Sequence, residues 1–142
     1  METHDVERLL AAARQARKRA RCTYSGFAVG AALWAADGTI STGCNIENAS
    51  YGLTVCAERV ALWKALSDGH HRFTAIAIVA DTPAPTPPCG PCRQLLWEFA
   101  GDLAVYLGNL ASLQRTFTLA ELFPHPFDDR QLRTGPPATL GT

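Results

Sequence analysis

At 142 residues the chain is sized for one domain and can bury roughly 68% of the surface its unfolded form exposes. Thirteen Lys and Arg residues balance thirteen Asp and Glu, so no basic field exists to hold a polyanion, which argues against nucleic acid as the main partner. The polar, acidic opening Met1-Glu2-Thr3-His4-Asp5 lacks the apolar core of a signal peptide, and no apolar run approaches the ~20 residues that span a bilayer.

Asp5 to Arg21 reads as an amphipathic helix. Val6, Leu9, Leu10 and Ala13 fall at helical spacing, while Arg14, Arg17, Lys18, Arg19 and Arg21 load the C-terminal half, where cations suit the helix dipole. A basic run of this kind is the ordinary signature of a solvated face. From Phe27 the pattern alternates, with Phe27, Val29, Ala31 and Leu33 separated by smaller residues as in a strand. Asp37-Gly38 is a hairpin turn signal, and Thr39 to Asn45 is the returning strand. Val55 to Leu66 reads as a second helix with Val60, Leu62, Trp63 and Leu66 on its apolar side.

Phe73 to Ala80 is a continuous apolar run of strand length, as expected of a central strand covered on both faces. The Pro-rich stretch Asp81 to Pro88 must be a loop. Arg93 to Phe99 reads as a third helix, Leu103 to Leu107 as a strand, and Thr116 to Thr118 as a short strand before a helical turn over Leu119 to Phe123. The Gly- and Pro-rich residues 133–142 are expected to form a frayed tail. No repeat or linker divides residues 1–132, so one domain is expected, an α/β sheet with helices on both faces.

Five cysteines, an odd count without a secretory leader, point to a reducing cytoplasm and to metal or catalytic use rather than disulfides. Three of them cluster as Cys56-Ala57-Glu58 and Pro88-Cys89-Gly90-Pro91-Cys92. A structural zinc site is closed by four protein ligands, whereas a hydrolytic one keeps three and leaves a position for water. Cys56, Cys89 and Cys92 supply three candidate ligands, each beside a predicted helix start, where the dipole lowers a thiol's pKa and favours the thiolate that binds metal. Arg59 and Arg93, each adjacent in sequence, are candidates to offset the charge of three thiolates by hydrogen bonds to sulfur. Glu58 is the acidic residue nearest the clusters and the candidate to carry protons between water and substrate. The spacing also admits a closed structural knuckle completed by Cys22, Cys44 or a histidine, and the His70-His71 pair suits a helix C-terminus.

A Cys, then Glu two residues on, then Pro-Cys-x-x-Cys is the layout of zinc deaminases, and the likeness extends from Tyr24 to Leu132. Tyr24-Ser25-Gly26-Phe27-Ala28-Val29-Gly30-Ala31-Ala32-Leu33, Asn45 through Arg59, and Pro88-Cys89-Gly90-Pro91-Cys92-Arg93-Gln94 stand in an order that resembles the small zinc-dependent cytidine deaminases of pyrimidine salvage. The resemblance implies a three-layer α/β/α fold around a central mixed sheet of about five strands. It implies hydrolytic deamination of free cytidine and deoxycytidine to uridine and deoxyuridine, with one zinc ion per subunit. Asn45 and Glu47, two apart at a strand end, would point the same way and grip a ribose hydroxyl. Phe27 would pack on the pyrimidine and Ala57 would offer its backbone N–H to the base carbonyl, with Ala49 and Tyr51 in the same substrate segment.

Leu122-Phe123-Pro124-His125-Pro126-Phe127 resembles the segment whose aromatic enters a neighbouring subunit's site in the tetrameric members, which makes Phe127 the matching residue and a homotetramer the expected assembly. Two departures stand out. Pro87 replaces a common Ser but keeps the carbonyl that can accept from the substrate amine, and Asp128-Asp129 replaces Gly or Ser. Competing functions are deamination of a cytosine-bearing antibiotic such as blasticidin, nucleic-acid editing, and a non-enzymatic zinc module. The paired Asn45 and Glu47 weigh against the first, and the neutral charge against the second.

Overall fold

The structure, a computed structural model, describes residues 1–133, so the expected tail lies outside the described residues except for Arg133. Helix α1 spans Thr3–Arg17 and buries Leu9, Leu10, Ala13 and Ala16. It stops four residues short of the expected end because Arg21 is extended, donating its N–H to the Asn45 carbonyl at 2.9 Å and accepting from Glu47 N–H at 2.8 Å. Its basic run is only partly a solvated face: Arg14 Nε donates to the Asn109 carbonyl and Arg17 Nε to the Ala28 carbonyl, each at 3.0 Å.

Strand β1 covers Val29–Ala35 and β2 covers Ile40–Cys44. The ladder begins two residues after the expected Phe27 because the Asn45 side chain takes the backbone there, accepting from Val29 N–H at 2.9 Å and donating to the Phe27 carbonyl at 2.7 Å. A 3₁₀ turn at Tyr51–Leu53 precedes α2, Ala57–Ser67. The buried face of α2 is Ala57, Glu58, Ala61, Leu62 and Ala65, and Trp63, expected on the apolar side, points outward with 48% of its surface exposed. Strand β3 is Phe73–Ala80, α3 Gly90–Ala100, β4 Ala104–Gly108 and β5 Leu113–Thr118. Helix α3 opens three residues earlier than expected, since Gly90-Pro91 forms its first turn, where Pro loses no hydrogen bond. Two short helices close the described chain, α4 at Leu119–Leu122 and α5 at Asp129–Leu132. The second was not foreseen, and the Asp128 carboxylate builds it by accepting from Arg130 N–H at 2.9 Å.

The strands form one mixed sheet in the order β2-β1-β3-β4-β5, with β3 and β4 parallel and the other neighbours antiparallel. Leu9, Leu10 and Ala13 of α1 cover one face against Ala32, Ala75, Ala77 and Val79. Leu62 of α2, Leu96 of α3 and Leu119 of α4 cover the other against Leu33, Ile76, Ile78 and Leu107. Three layers result, as expected. Because β2 and β3 are both antiparallel to β1, they run in the same direction and end at the same edge of the sheet. Helices α2 and α3 start from that edge, and β1 begins there, with Val29 opposite Ala80 and Gly30 opposite Cys44. Topology alone therefore gathers the Phe27 loop, the Asn45 segment and both Cys clusters.

Candidate active site

Cys56 is the N-cap of α2, Cys89 the N-cap of α3, and Cys92 lies in the first turn of α3. Their sulfurs lie within 4.8 Å of one another, with Cys56 to Cys89 at 3.6 Å and Cys89 to Cys92 at 3.3 Å. All three are free thiols. Tetrahedral zinc with Zn–S bonds of about 2.3 Å holds its sulfurs ~3.8 Å apart, so this donor set fits zinc with little adjustment. Among the described residues, Cys22, Cys44 and the histidines stay outside the group, so the closed four-ligand knuckle is not built.

Electrostatics favour a cation. The Cys56 thiol is lowered to about 5, first by its hydrogen bond with Cys92 and then by Arg59, whose Nη2 donates to Cys56 Sγ at 3.4 Å. Cys92, fully buried, is pushed up by that same shared bond and by burial. A thiol held low beside two others is the kind of sulfur that binds a metal cation as thiolate. Arg59 makes the expected sulfur contact. Arg93 departs from expectation: its Nε donates to the Pro88 carbonyl at 2.8 Å and its Nη1 to the Leu122 carbonyl at 2.7 Å, so it braces the loop before Cys89 rather than the sulfurs.

Glu58, in the first turn of α2, is 5% exposed, and its Oε2 lies 3.7 Å from Cys92 Sγ. Burial raises its carboxyl to about 7. Above Glu58, Cys56 and Cys89 opens a cavity of about 280 Å³. Its apolar wall is Phe27, Val29, Val55, Ala57 and Pro87, and its polar groups include Ser25, Asn45, Glu47, Thr54 and Thr86. A mostly apolar cleft with a few convergent polar groups is the usual form of a small-molecule site. Phe27 keeps 43% of its surface exposed, so it is a wall rather than core. Ala57 holds the first amide of α2, which has no intrahelical carbonyl to pair with.

Glu47 and Asn45 reach the cavity but are already engaged. Glu47 Oε1 accepts from the N–H groups of Tyr24 at 2.9 Å and Ser25 at 3.0 Å, and Oε2 accepts from the Ser25 hydroxyl. These bonds, the Ser25 hydroxyl foremost, hold the Glu47 carboxyl below the usual carboxylate range. Ala49, Tyr51 and Phe127 do not line the cavity of their own chain. Tyr51 is 74% exposed and stands edge-on to Tyr24 at 5.7 Å between ring centroids. Phe127 is 57% exposed, and its carbonyl accepts from Gln94 Nε2 at 2.7 Å. Ser25, Thr54 and Thr86 also line the cavity without having been expected there. Their signal is weak, since small hydroxyl residues in loops ordinarily mark turns.

Residues 3–108 match the family model for the cytidine and deoxycytidylate deaminase zinc-binding region. The chain belongs to the cytidine deaminase family. It is 52% identical over 129 residues to a cytidine deaminase of Sporosarcina psychrophila, covering 90% of this chain and 95% of that one. It is 53% identical over 124 residues to the cytidine deaminase of Halalkalibacterium halodurans, covering 87% and 94%. The crystal structure of cytidine deaminase from Burkholderia pseudomallei superposes with a TM-score of 0.82 at 45% identity, over 89% of this chain and all of that one. Among the described residues, no helix is long and apolar enough to cross a membrane.

Proposed function

We propose that the chain, as one catalytic unit over residues 1–132, converts free cytidine and deoxycytidine to uridine and deoxyuridine, consuming water and releasing ammonia. One observation carries the reading: Cys56, Cys89 and the buried Glu58 line one cavity, and the buried Cys92 completes a cluster of three sulfurs with no fourth protein ligand among the described residues. Cys56, Cys89 and Cys92 would hold one zinc ion, which when bound supplies a Lewis acid that activates water. Glu58, poised near neutrality, would take a proton from that water and deliver protons to the ring N3 and the departing amine. Phe27 would flank the pyrimidine, the Ala57 N–H would meet the base carbonyl, and the Pro87 carbonyl would accept from the amine. Asn45 and Glu47 would face the ribose, and Ala49 and Tyr51 would belong to the segment that carries them.

The cavity has a floor and one aromatic wall, and water exclusion would strengthen its electrostatics. Phe127, half-exposed and stiffened by Pro124 and Pro126, is suited to close a neighbour's cavity in a homotetramer, with Trp63 and Tyr51 available for subunit packing. Five free thiols suit a reducing cytoplasm. Ammonia release from cytidine, deoxycytidine, blasticidin S and single-stranded DNA tests the substrate. Turnover of the two nucleosides is expected, and turnover of only the antibiotic or the DNA would refute the reading.

A further inference from the structure

We infer that Ser25 is a positioning residue for the nucleoside, joining the sugar-facing carboxylate Glu47 to the aromatic wall Phe27. This rests on the deaminase reading. The Ser25 hydroxyl donates to Glu47 Oε2 and at the same time accepts from Phe27 N–H at 3.0 Å. The two bonds use the hydroxyl in opposite senses, so its single proton is committed to the carboxylate and its lone pair to Phe27. Ser25 N–H reinforces the link through Glu47 Oε1. Gly26, between the two, has a φ of +67°, which lets the chain fold back so that one side chain can reach both partners.

The carboxylate offers about four lone-pair sites and spends three on Tyr24 and Ser25, leaving one for a ligand hydroxyl. A sugar hydroxyl taking that site bonds to a group already tied to Phe27, so seating the sugar and seating the ring are one event. Ser25 lies on an exposed loop and is not needed for the core. Its effect should therefore fall on binding and leave proton transfer at Glu58 alone.

The test measures KM and kcat for cytidine in Ser25→Ala, Ser25→Thr, Glu47→Ala and the double variant Ser25→Ala/Glu47→Ala. Ser25→Ala is expected to raise KM about 10-fold with kcat and melting temperature close to the parent, the scale of one charge-assisted hydrogen bond. Ser25→Thr, which keeps the hydroxyl, is expected to restore most of the KM. In the double variant the serine change is expected to add little, because its partner is gone. An unchanged KM in Ser25→Ala, an equal loss in Ser25→Thr, or full additivity with Glu47→Ala would overturn the proposal while leaving the deaminase reading intact. A parent without activity on cytidine would overturn both.

Discussion

Burial of its side chain pushes the Glu58 carboxyl up to about 7, and a group at that value can both accept and return a proton at neutral pH. Glu58→Gln keeps the shape and removes the proton carrier. Its expected outcome is a folded protein with unchanged metal content and turnover reduced about 10²–10⁴-fold, read by metal analysis and a cytidine absorbance assay. Asn45 has a different burden, since its side chain satisfies Val29 N–H and Phe27 C=O where β1 begins. Asn45→Ala leaves that buried N–H without a partner, at a cost of about 1–3 kcal/mol. A lowered melting temperature should accompany a raised KM. The resemblance to the deaminase family marked Asn45 and Glu47, yet their bonds to residues 24–29 were illegible in the sequence. Hydrogen bonds between segments some twenty residues apart leave no local pattern.

At the scale of elements, close backbone contact on either face of the sheet fixes how the helices sit on it. A Cβ at Gly43 would sit 2.5 Å from both the Ala57 carbonyl oxygen and the Ala61 nitrogen, so β2 and α2 touch through their backbones. A Cβ at Gly30 would meet the Ala13 carbonyl oxygen at 2.0 Å, on the α1 side. Both Gly→Ala changes are expected to destabilise by about 1–3 kcal/mol or more. Only Gly43→Ala displaces the α2 start that carries Cys56, so the folded fraction of that variant should lose metal while Gly30→Ala keeps it. Asp128 ties the C-terminal segment to α3, accepting from Trp97 Nε1 and from the Arg130 guanidinium. Arg130 first, then Trp97, holds its carboxyl well below the usual range. A depressed folded-state value gives stability that is present above the ordinary carboxylate range and lost as pH falls through the folded value. Asp128→Asn should therefore melt below the parent at neutral pH, with the gap closing in strong acid. The apolar run located β3 to the residue because every position but Thr74 is apolar. Helix α5 is illegible in the sequence because Asp128-Asp129 shows no hydrophobic repeat, and the start of α3 is masked because Pro and Gly usually mark loops.

Across the whole molecule, the antiparallel pairing of β1 with both of its neighbours gathers segments from three parts of the chain at one sheet edge. The two Cys clusters announced the site in the sequence because metal ligands must be specific residues at set spacing. Of the apolar wall, Val29 and Val55 stayed hidden because valines look like core anywhere. Phe127, Tyr51 and Trp63 remain exposed around the cavity-bearing subunit, and assembly would cover them. Sedimentation at assay concentration is expected to show a tetramer, and Phe127→Ala to raise KM with metal content intact. A fully active monomer would contradict that assembly. Cys56, Cys89 and Cys92 would hold, as thiolates, the one zinc ion on which deamination depends. Metal-stripped protein reloaded with zinc tests this through the initial rate of cytidine deamination. The rate should rise from near zero in proportion to zinc and level off at one ion per chain. Full activity in the stripped protein, or zinc bound at one ion per chain without activity, would contradict the account.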